Sequence, residues 1–227
     1  MTTGLKLYNE YFMKSLIEKI IKRSRQTFST IDYWEGRYQS GGNSGSGSYN
    51  LLAQYKANFI NEFLISHRIQ SAIEFGCGDG NQLSLVHYPR YLGLDVSKTS
   101  IRLCSEKFKG DLTKSFFLYD PFAFVDNGNV FRSDLCLSLD VIFHLVEDEV
   151  YELYMQHLFQ SSSRYLIIYS SDYDNVRVHH ERRRNFTKWV ESNQSNWKII
   201  VKVENPFRNE IDPESKSFSN FYIYQKD

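Results

Sequence analysis

Four acidic side chains occupy one recurring kind of position. Glu74 lies in the apolar run "SAIEF", which leads into the turn "GCGDG". Asp95 closes "RYLGLD", Asp120 closes "SFFLYD" and Asp140 closes "SDLCLSLD". A carboxylate at such a point can accept hydrogen bonds from a ligand's hydroxyls or hold a positive group. One acid alone is more often a turn residue or helix cap, but its repetition in successive segments forms a pattern. The turn carries Gly76, Gly78 and Gly80 in G-x-G-x-G spacing. Glycines there let the backbone turn sharply and approach a ligand. A nicotinamide-binding turn would read G-x-G-x-x-G, and Asn81 stands where its last glycine is required. Proton-transfer candidates are few. His144 follows Asp140, while His179 and His180 lie in "VRVHHERRRNF". Either His144 or His180 could serve as a base toward a ligand hydroxyl, with Asp140 orienting it or touching the ligand; otherwise His144 caps the next turn or packs on the ligand. Arg182, Arg183 and Arg184 form a solvated face or meet a phosphate. Asp140, Asp172 and Asp174 could approach a divalent ion, but no spacing demands a metal.

The elements that must position these residues follow from periodicity. "SAIEF", "RYLGLD", "SFFLYD", "SDLCLSLD", "RYLIIYS", "WKIIVKVE" and "SFSNFYIYQ" read as seven strands. "YNLLAQYKANFINEFLISHRI" has apolar residues at helical spacing (Leu51, Leu52, Tyr55, Phe59, Ile60, Phe63, Leu64), as do "KTSIRLCSEKF" and "EDEVYELYMQHLFQ". "NFTKWVESN" is a short helix capped by Asn185 or Thr187. Alternation of strands and helices predicts an α/β fold with a doubly wound, mostly parallel, Rossmann-like seven-stranded sheet. The last two strands have no helix between them, so one of them is expected to run antiparallel. In such a sheet ligands bind beyond the carboxyl ends of the strands, where the acids fall.

Taken in order, "AIEFGCGDGNQ", "YLGLDVS", "FFLYD" and "LCLSLDVIFHL" resemble the class I S-adenosylmethionine-dependent methyltransferases over roughly residues 70 to 170. The resemblance implies S-adenosyl-L-methionine as cofactor. It places Gly76, Gly78 and Gly80 at the methionine moiety, Asp95 at the ribose, Tyr119 and Asp120 at the adenine, the segment after Asp140 along the methyl-transfer face, and Glu74 and Leu139 among the cofactor-binding residues. Upstream, "DYWEGRYQSGGNSGSG" holds Tyr33, Trp34, Arg37 and Tyr38 before a run of glycines. The Trp34–Tyr38 spacing resembles the W-x-x-x-Y segment that closes over the cofactor in small-molecule members, with Arg37 toward the cofactor's carboxylate and aromatic rings toward the sulfonium. Two readings of residues 40–48 compete. One is a flexible tether. The other is a lid whose backbone N–H groups from Gly42 to Gly45 face an anion. The aromatic flanks favour the lid. Residues 33–49 also resemble a subgroup found beside glycosyltransferases, which implies a sugar, nucleotide sugar or polysaccharide precursor methylated on oxygen.

Composition narrows the alternatives. The 227 residues carry no net charge, which argues against nucleic acid as partner. Three scattered cysteines without a C-x-x-C pair suit a reducing, cytoplasmic setting, and no apolar run is long enough for a membrane span. The basic stretch with Leu16, Ile17, Ile20 and Ile21 at helical spacing reads as an N-terminal amphipathic helix, residues 1–30, packed on the domain or on a second copy in a homodimer; a helix lying on a membrane surface is the competing reading. Residues 31–227 form the catalytic domain. The competing functions are methylation of a protein or nucleic acid, for which the N/D-P-P-Y motif of amino-group methylases is missing, and a non-catalytic cofactor-binding protein.

Overall fold

The computed structural model describes residues 28–175 and 178–227. The basic helix expected in residues 1–30 therefore falls almost wholly outside the described residues. Twelve main elements follow in chain order: α1 (Thr30–Gln39), α2 (Asn50–Ser66), β1 (Ala72–Phe75), β2 (Tyr91–Asp95), α3 (Lys98–Lys107), β3 (Lys114–Leu118), β4 (Ser133–Leu139), α4 (Asp148–Gln160), β5 (Ser162–Ser170), α5 (Phe186–Asn193), β6 (Trp197–Val203) and β7 (Asn220–Lys226). The strands form one sheet in the order β3-β2-β1-β4-β5-β7-β6. Neighbours from β3 through β5 pair in parallel, and β7 is antiparallel to both β5 and β6. The antiparallel finish is thus β7, inserted between β5 and the edge strand β6.

Central strands of a parallel sheet are covered on both faces and therefore read as continuous apolar runs. β1 is buried throughout, and β4 is buried at all positions but Asp134. One face packs Phe75, Met155, Leu158 and Phe186; the other packs Ile60, Leu64, Leu137 and Phe221. α2 delivers its stripe to the second face, but Leu51 is 48 % exposed and the stripe runs through Leu52, Ala53, Lys56, Ala57 and Ile60. A lysine thus lies fully buried at its centre. β3 is an edge strand and leaves Phe117 and Leu118 half exposed.

Local chemistry fixes the helix starts. Ser29, Ser97 and Asn185 each accept a backbone N–H from the first turn of α1, α3 and α5. Thr187 instead donates its hydroxyl to Asp172, which also takes the Thr187 N–H, and Asp174 accepts the Asn185 N–H. These two acids therefore hold the start of α5. Among the described residues no helix is long and apolar enough to cross a membrane.

Candidate functional site

A cleft of about 840 Å³ opens over the carboxyl ends of β1, β2 and β4. Glu74, Gly76, Gly78, Asp95, Tyr119 and Leu139 all line it, together with Trp34 and Tyr38 from α1. The glycine turn is built for close approach. Gly78 adopts φ +58, and a Cβ there would collide with Ser44 Oγ. Its N–H donates to Asp95 Oδ2 at 2.9 Å, and Asp95 Oδ1 accepts the Ser97 N–H at the same distance. Burial pushes the Asp95 carboxyl up to about 6 against these hydrogen bonds. Glu74 is more extreme: burial raises it to about 7, although Tyr91 donates its hydroxyl to Oε2 at 2.7 Å. Beside it, Gln82 gives its amide N–H to the Ala53 carbonyl, while its Oε1 is buried in the cleft wall without a partner among the described residues.

Four residues expected at the cofactor lie elsewhere. Gly80 turns toward α3, where an added Cβ would meet Phe108 at 2.8 Å and Cys104 at 3.0 Å. Its role is helix–turn packing. Asp120 is exposed two residues beyond β3, and its carboxylate caps the Phe122 N–H. Only its neighbour Tyr119 reaches the cleft. Arg37 borders a second cavity instead and donates Nε–H to the Asn43 carbonyl at 2.6 Å. Tyr33 is also absent from the cleft wall, because its ring stacks on His180 with centroids 4.6 Å apart.

Residues 40–48 pack against the glycine turn through Asp79, a residue the sequence reading passed over. Its Oδ2 accepts the Ser44 N–H at 2.9 Å and the Tyr49 hydroxyl at 2.8 Å, and its own N–H donates to Ser44 Oγ. Ser44 Oγ also meets the Tyr38 hydroxyl at 2.9 Å, and Asn81 donates to the Ser48 carbonyl. Asn81, unhelpful to a nicotinamide site, thus secures this loop. The expected row of N–H groups facing a ligand anion does not form. Gly42 donates to the Arg37 carbonyl, Gly45 to Asn43 Oδ1, and the anion met by Ser44 is Asp79 itself. α1 is fastened at its start and in its middle. The Thr30 N–H donates to Glu147 at 2.8 Å, and Glu35 accepts from Ser97 Oγ and both Thr99 donors. Those donors, Ser97 foremost, hold the Glu35 carboxyl down to about 2.

The second cavity, about 850 Å³, adjoins the first. Trp34, Ser44, Asp140 and His144 line both and so mark the junction. Asp140 sits in the left-handed region at φ +58, uncommon for a non-glycine residue though tolerated by Asp. Lys56 Nζ reaches its Oδ2 at 2.7 Å, and the Ser219 hydroxyl donates to its Oδ1 at 2.7 Å. Lys56 comes from the middle of α2 with a fully buried side chain and lies over the Tyr169 ring. Gly47 passes so close that a Cβ there would stand 2.8 Å from Asp140 Oδ2. Both carboxylate oxygens are engaged, so the side chain of Asp140 is held in place by Lys56 and Ser219.

His144 is half-buried among Trp34, Phe143 and His180. Its Nδ1 lies 3.2 Å from the His180 carbonyl, which can only accept, so Nδ1 carries the proton and Nε2 is the free acceptor. Desolvation lowers its pKa to about 4, so the ring is neutral at physiological pH. His180 is sandwiched between Tyr33 and His144, nearly parallel to both. It too is shifted down by burial. The arginine run divides. Arg182 and Arg184 both pair with Asp148 and donate to the carbonyls of Leu145 and Val146. Only Arg183 faces the second cavity, and the run as a whole is not a solvated face.

No protein-family model and no curated protein matches the chain. Solved structures do. Magnesium protoporphyrin IX methyltransferase from Synechocystis PCC 6803 with bound SAH is 16% identical, with TM-score 0.60 over 92% of this chain and 100% of that one. The methyltransferase domain of bacterial CtHen1 is 20% identical, with TM-score 0.60 over 76% of this chain and 97% of the other. An S-adenosylmethionine-dependent methyltransferase from Clostridium acetobutylicum ATCC 824 is 13% identical, with TM-score 0.59 over 79% and 93% of the two chains. At these identities the likeness is one of fold, the Rossmann-like fold of these methyltransferases.

Proposed function

We propose that the protein is an S-adenosylmethionine-dependent methyltransferase acting on a hydroxyl of a small, sugar-like acceptor. The observation that carries this reading is the junction. A neutral histidine with Nε2 unprotonated lines both the cleft over the glycine turn and the cavity beside it. The cleft residues suit the cofactor. Gln82 Oε1 is a buried acceptor in want of a donor, and Glu74 is a buried carboxyl that an ammonium group would favour in its charged form. Together with Gly76 and Gly78 they would hold the methionine end, Asp95 the ribose, and Tyr119 the adenine side. When bound, the cofactor supplies a methyl group made electrophilic by the sulfonium.

The chain's own residues do the rest. Trp34, stacked edge-on against His144 at 5.0 Å, walls the junction and excludes water. Lys56 and Ser219 fix Asp140, so the boundary between the cavities is rigid and the acceptor is aligned by a preformed wall. His144 Nε2 accepts the acceptor's hydroxyl proton. A base with a pKa near 4 is weak, but the hydroxyl becomes strongly acidic as its oxygen forms the new bond, so a weak neutral base suffices. Residues 40–48, fastened to Asp79, act as the lid of the cleft. The absence of net charge favours a small acceptor over nucleic acid.

Calorimetry with S-adenosylhomocysteine tests the cofactor: micromolar binding, about 8 kcal/mol, is expected, with no competition by NAD. Transfer of labelled methyl from S-adenosylmethionine to a panel of sugars and nucleotide sugars tests the reaction, and His144→Ala should lower turnover by about 10² to 10⁴-fold. Tight NAD binding with none of the homocysteine compound would end the reading. Unchanged turnover in His144→Ala would remove His144 as base.

A further inference from the structure

The second cavity carries a charge that proton transfer at His144 does not explain. Its two acids are both matched, Asp140 by Lys56 at 2.7 Å and Glu181 by Arg183 at 2.9 Å. Its other cations are not: among the described residues neither Arg37 nor Lys216 belongs to an ion pair, yet both line the wall. Arg183 is singled out further. Its guanidinium lies over the rings of Tyr173 and Phe218, at 5.8 and 5.9 Å, which fix its plane. Its Nε–H is buried with no acceptor among the described residues. A planar, always-charged donor fork with one N–H unsatisfied is suited to an anionic oxygen pair. Arg182 and Arg184 are committed to Asp148 and backbone carbonyls and cannot serve in this way.

We infer that the acceptor carries an anionic group, a phosphate or a carboxylate, bound by Arg183 with Lys216 and Arg37 beside it. Arg183 lines the second cavity and not the cleft, so the anion sits away from the junction where the hydroxyl reacts. The anion takes the place now held at Arg183 by Glu181. That the anion belongs to a methyl acceptor rests on the methyltransferase reading; the anion site does not.

The test is calorimetric titration of the full chain with glucose 6-phosphate, glucuronate and uncharged methyl glucoside, each with and without S-adenosylhomocysteine. One anion should bind about ten- to a hundredfold more tightly than methyl glucoside, the worth of hydrogen bonds to a charged group. Which of the two it is separates phosphate from carboxylate. Added salt should narrow the gap. Arg183→Gln should abolish the preference, and Lys216→Gln should reduce it. Glu181→Gln should strengthen anion binding, because it removes the competing carboxylate. Lys216 is exposed, so that variant remains informative should Arg183→Gln fold poorly. The inference is overturned if methyl glucoside binds as well as either anion, if neither anion binds, or if the preference survives in Arg183→Gln. Failure of S-adenosylhomocysteine alone to bind would sink the methyltransferase reading, while the titrations without it still decide the anion site.

Discussion

The cleft over β1 and β2 draws three of its four lining carboxyl groups, and Gln82, from one turn and the strands beside it, residues 74–82 and 95, whereas the adjoining cavity assembles Arg37, the 44–47 loop, Asp140 to His144, Glu181 with Arg183, and Lys216 to Ser219 from five separate stretches. The first uses short-range geometry: a glycine turn whose Gly78 N–H is tied to the strand-end acid Asp95. The second depends on how α1, α2 and the loops after β5 and β6 dock on one another. The first holds buried, unpaired carboxyls raised in pKa; the second holds a carboxylate neutralised by a buried lysine. The difference teaches that one half can be rebuilt for a new acceptor while the other stays as it is, because they share only the junction residues.

The contrast is sharpest at Lys56, and breaking it there should have the largest effect. Lys56→Met leaves Asp140 enclosed without its counter-ion, so urea unfolding should show a loss of about 3–5 kcal/mol. Adding Asp140→Asn should recover part of that loss. If Lys56→Met is as stable as the parent, the pair does not organise the junction.

On the other side the buried acid is unpaired, and its contribution to stability depends on pH. Glu74 is raised from 4.5 to about 7 in the folded protein. Its contribution to stability is therefore fully present below pH 4.5 and is lost as pH rises through about 7. Glu74→Gln should be destabilised relative to the parent at low pH by the least favourable margin and should gain on it by about 3 kcal/mol between pH 4 and 8. His144, lowered from 6.5 to about 4, works the other way, losing stability as pH falls through that window. The difference between parent and Glu74→Gln cancels the histidine. Parallel stability curves for the two proteins would show that Glu74 is not raised.

Asp95 serves both ligand and turn. Asp95→Ala should weaken S-adenosylhomocysteine binding by about 1.5–3 kcal/mol and also lower the stability of the free protein, because the Gly78 and Ser97 N–H groups lose their acceptors inside the wall. Equal stability with weaker binding would restrict Asp95 to the ligand. The smallest effect is expected at the loop. Ser44→Ala removes the bonds to the Asp79 N–H and the Tyr38 hydroxyl, and should cost about 1 kcal/mol while quickening proteolysis between residues 40 and 48. Unaltered cleavage would mean that the Ser44 backbone and Tyr49 alone hold the loop on Asp79.

All seven strands, the four main helices after residue 49, and the acids at Glu74, Asp95 and Asp140 were legible in the chain, because each depends on period, turn chemistry and sequence order. Asp79 lay inside the quoted glycine turn and was overlooked, since its partners Ser44 and Tyr49 lie in a loop thirty or more residues earlier. Lys56 left a readable mark, a lysine four residues from Leu52 and from Ile60 in an apolar stripe. Its meaning needed Asp140, 84 positions away.

By itself, then, the sequence determined the alternation of strand and helix, the tight glycine turn and the acids that follow the strands, since backbone sterics and hydrophobic period act over a few residues. Only the tertiary structure decided that Gly80 and Asp120 leave the cleft, that two arginines of three are spent on Asp148 while Arg183 faces a cavity, and that His144 is a neutral acceptor at Nε2. Each of those outcomes is set by burial and by a partner brought from far along the chain, and desolvation is a property of the packed whole, not of any segment.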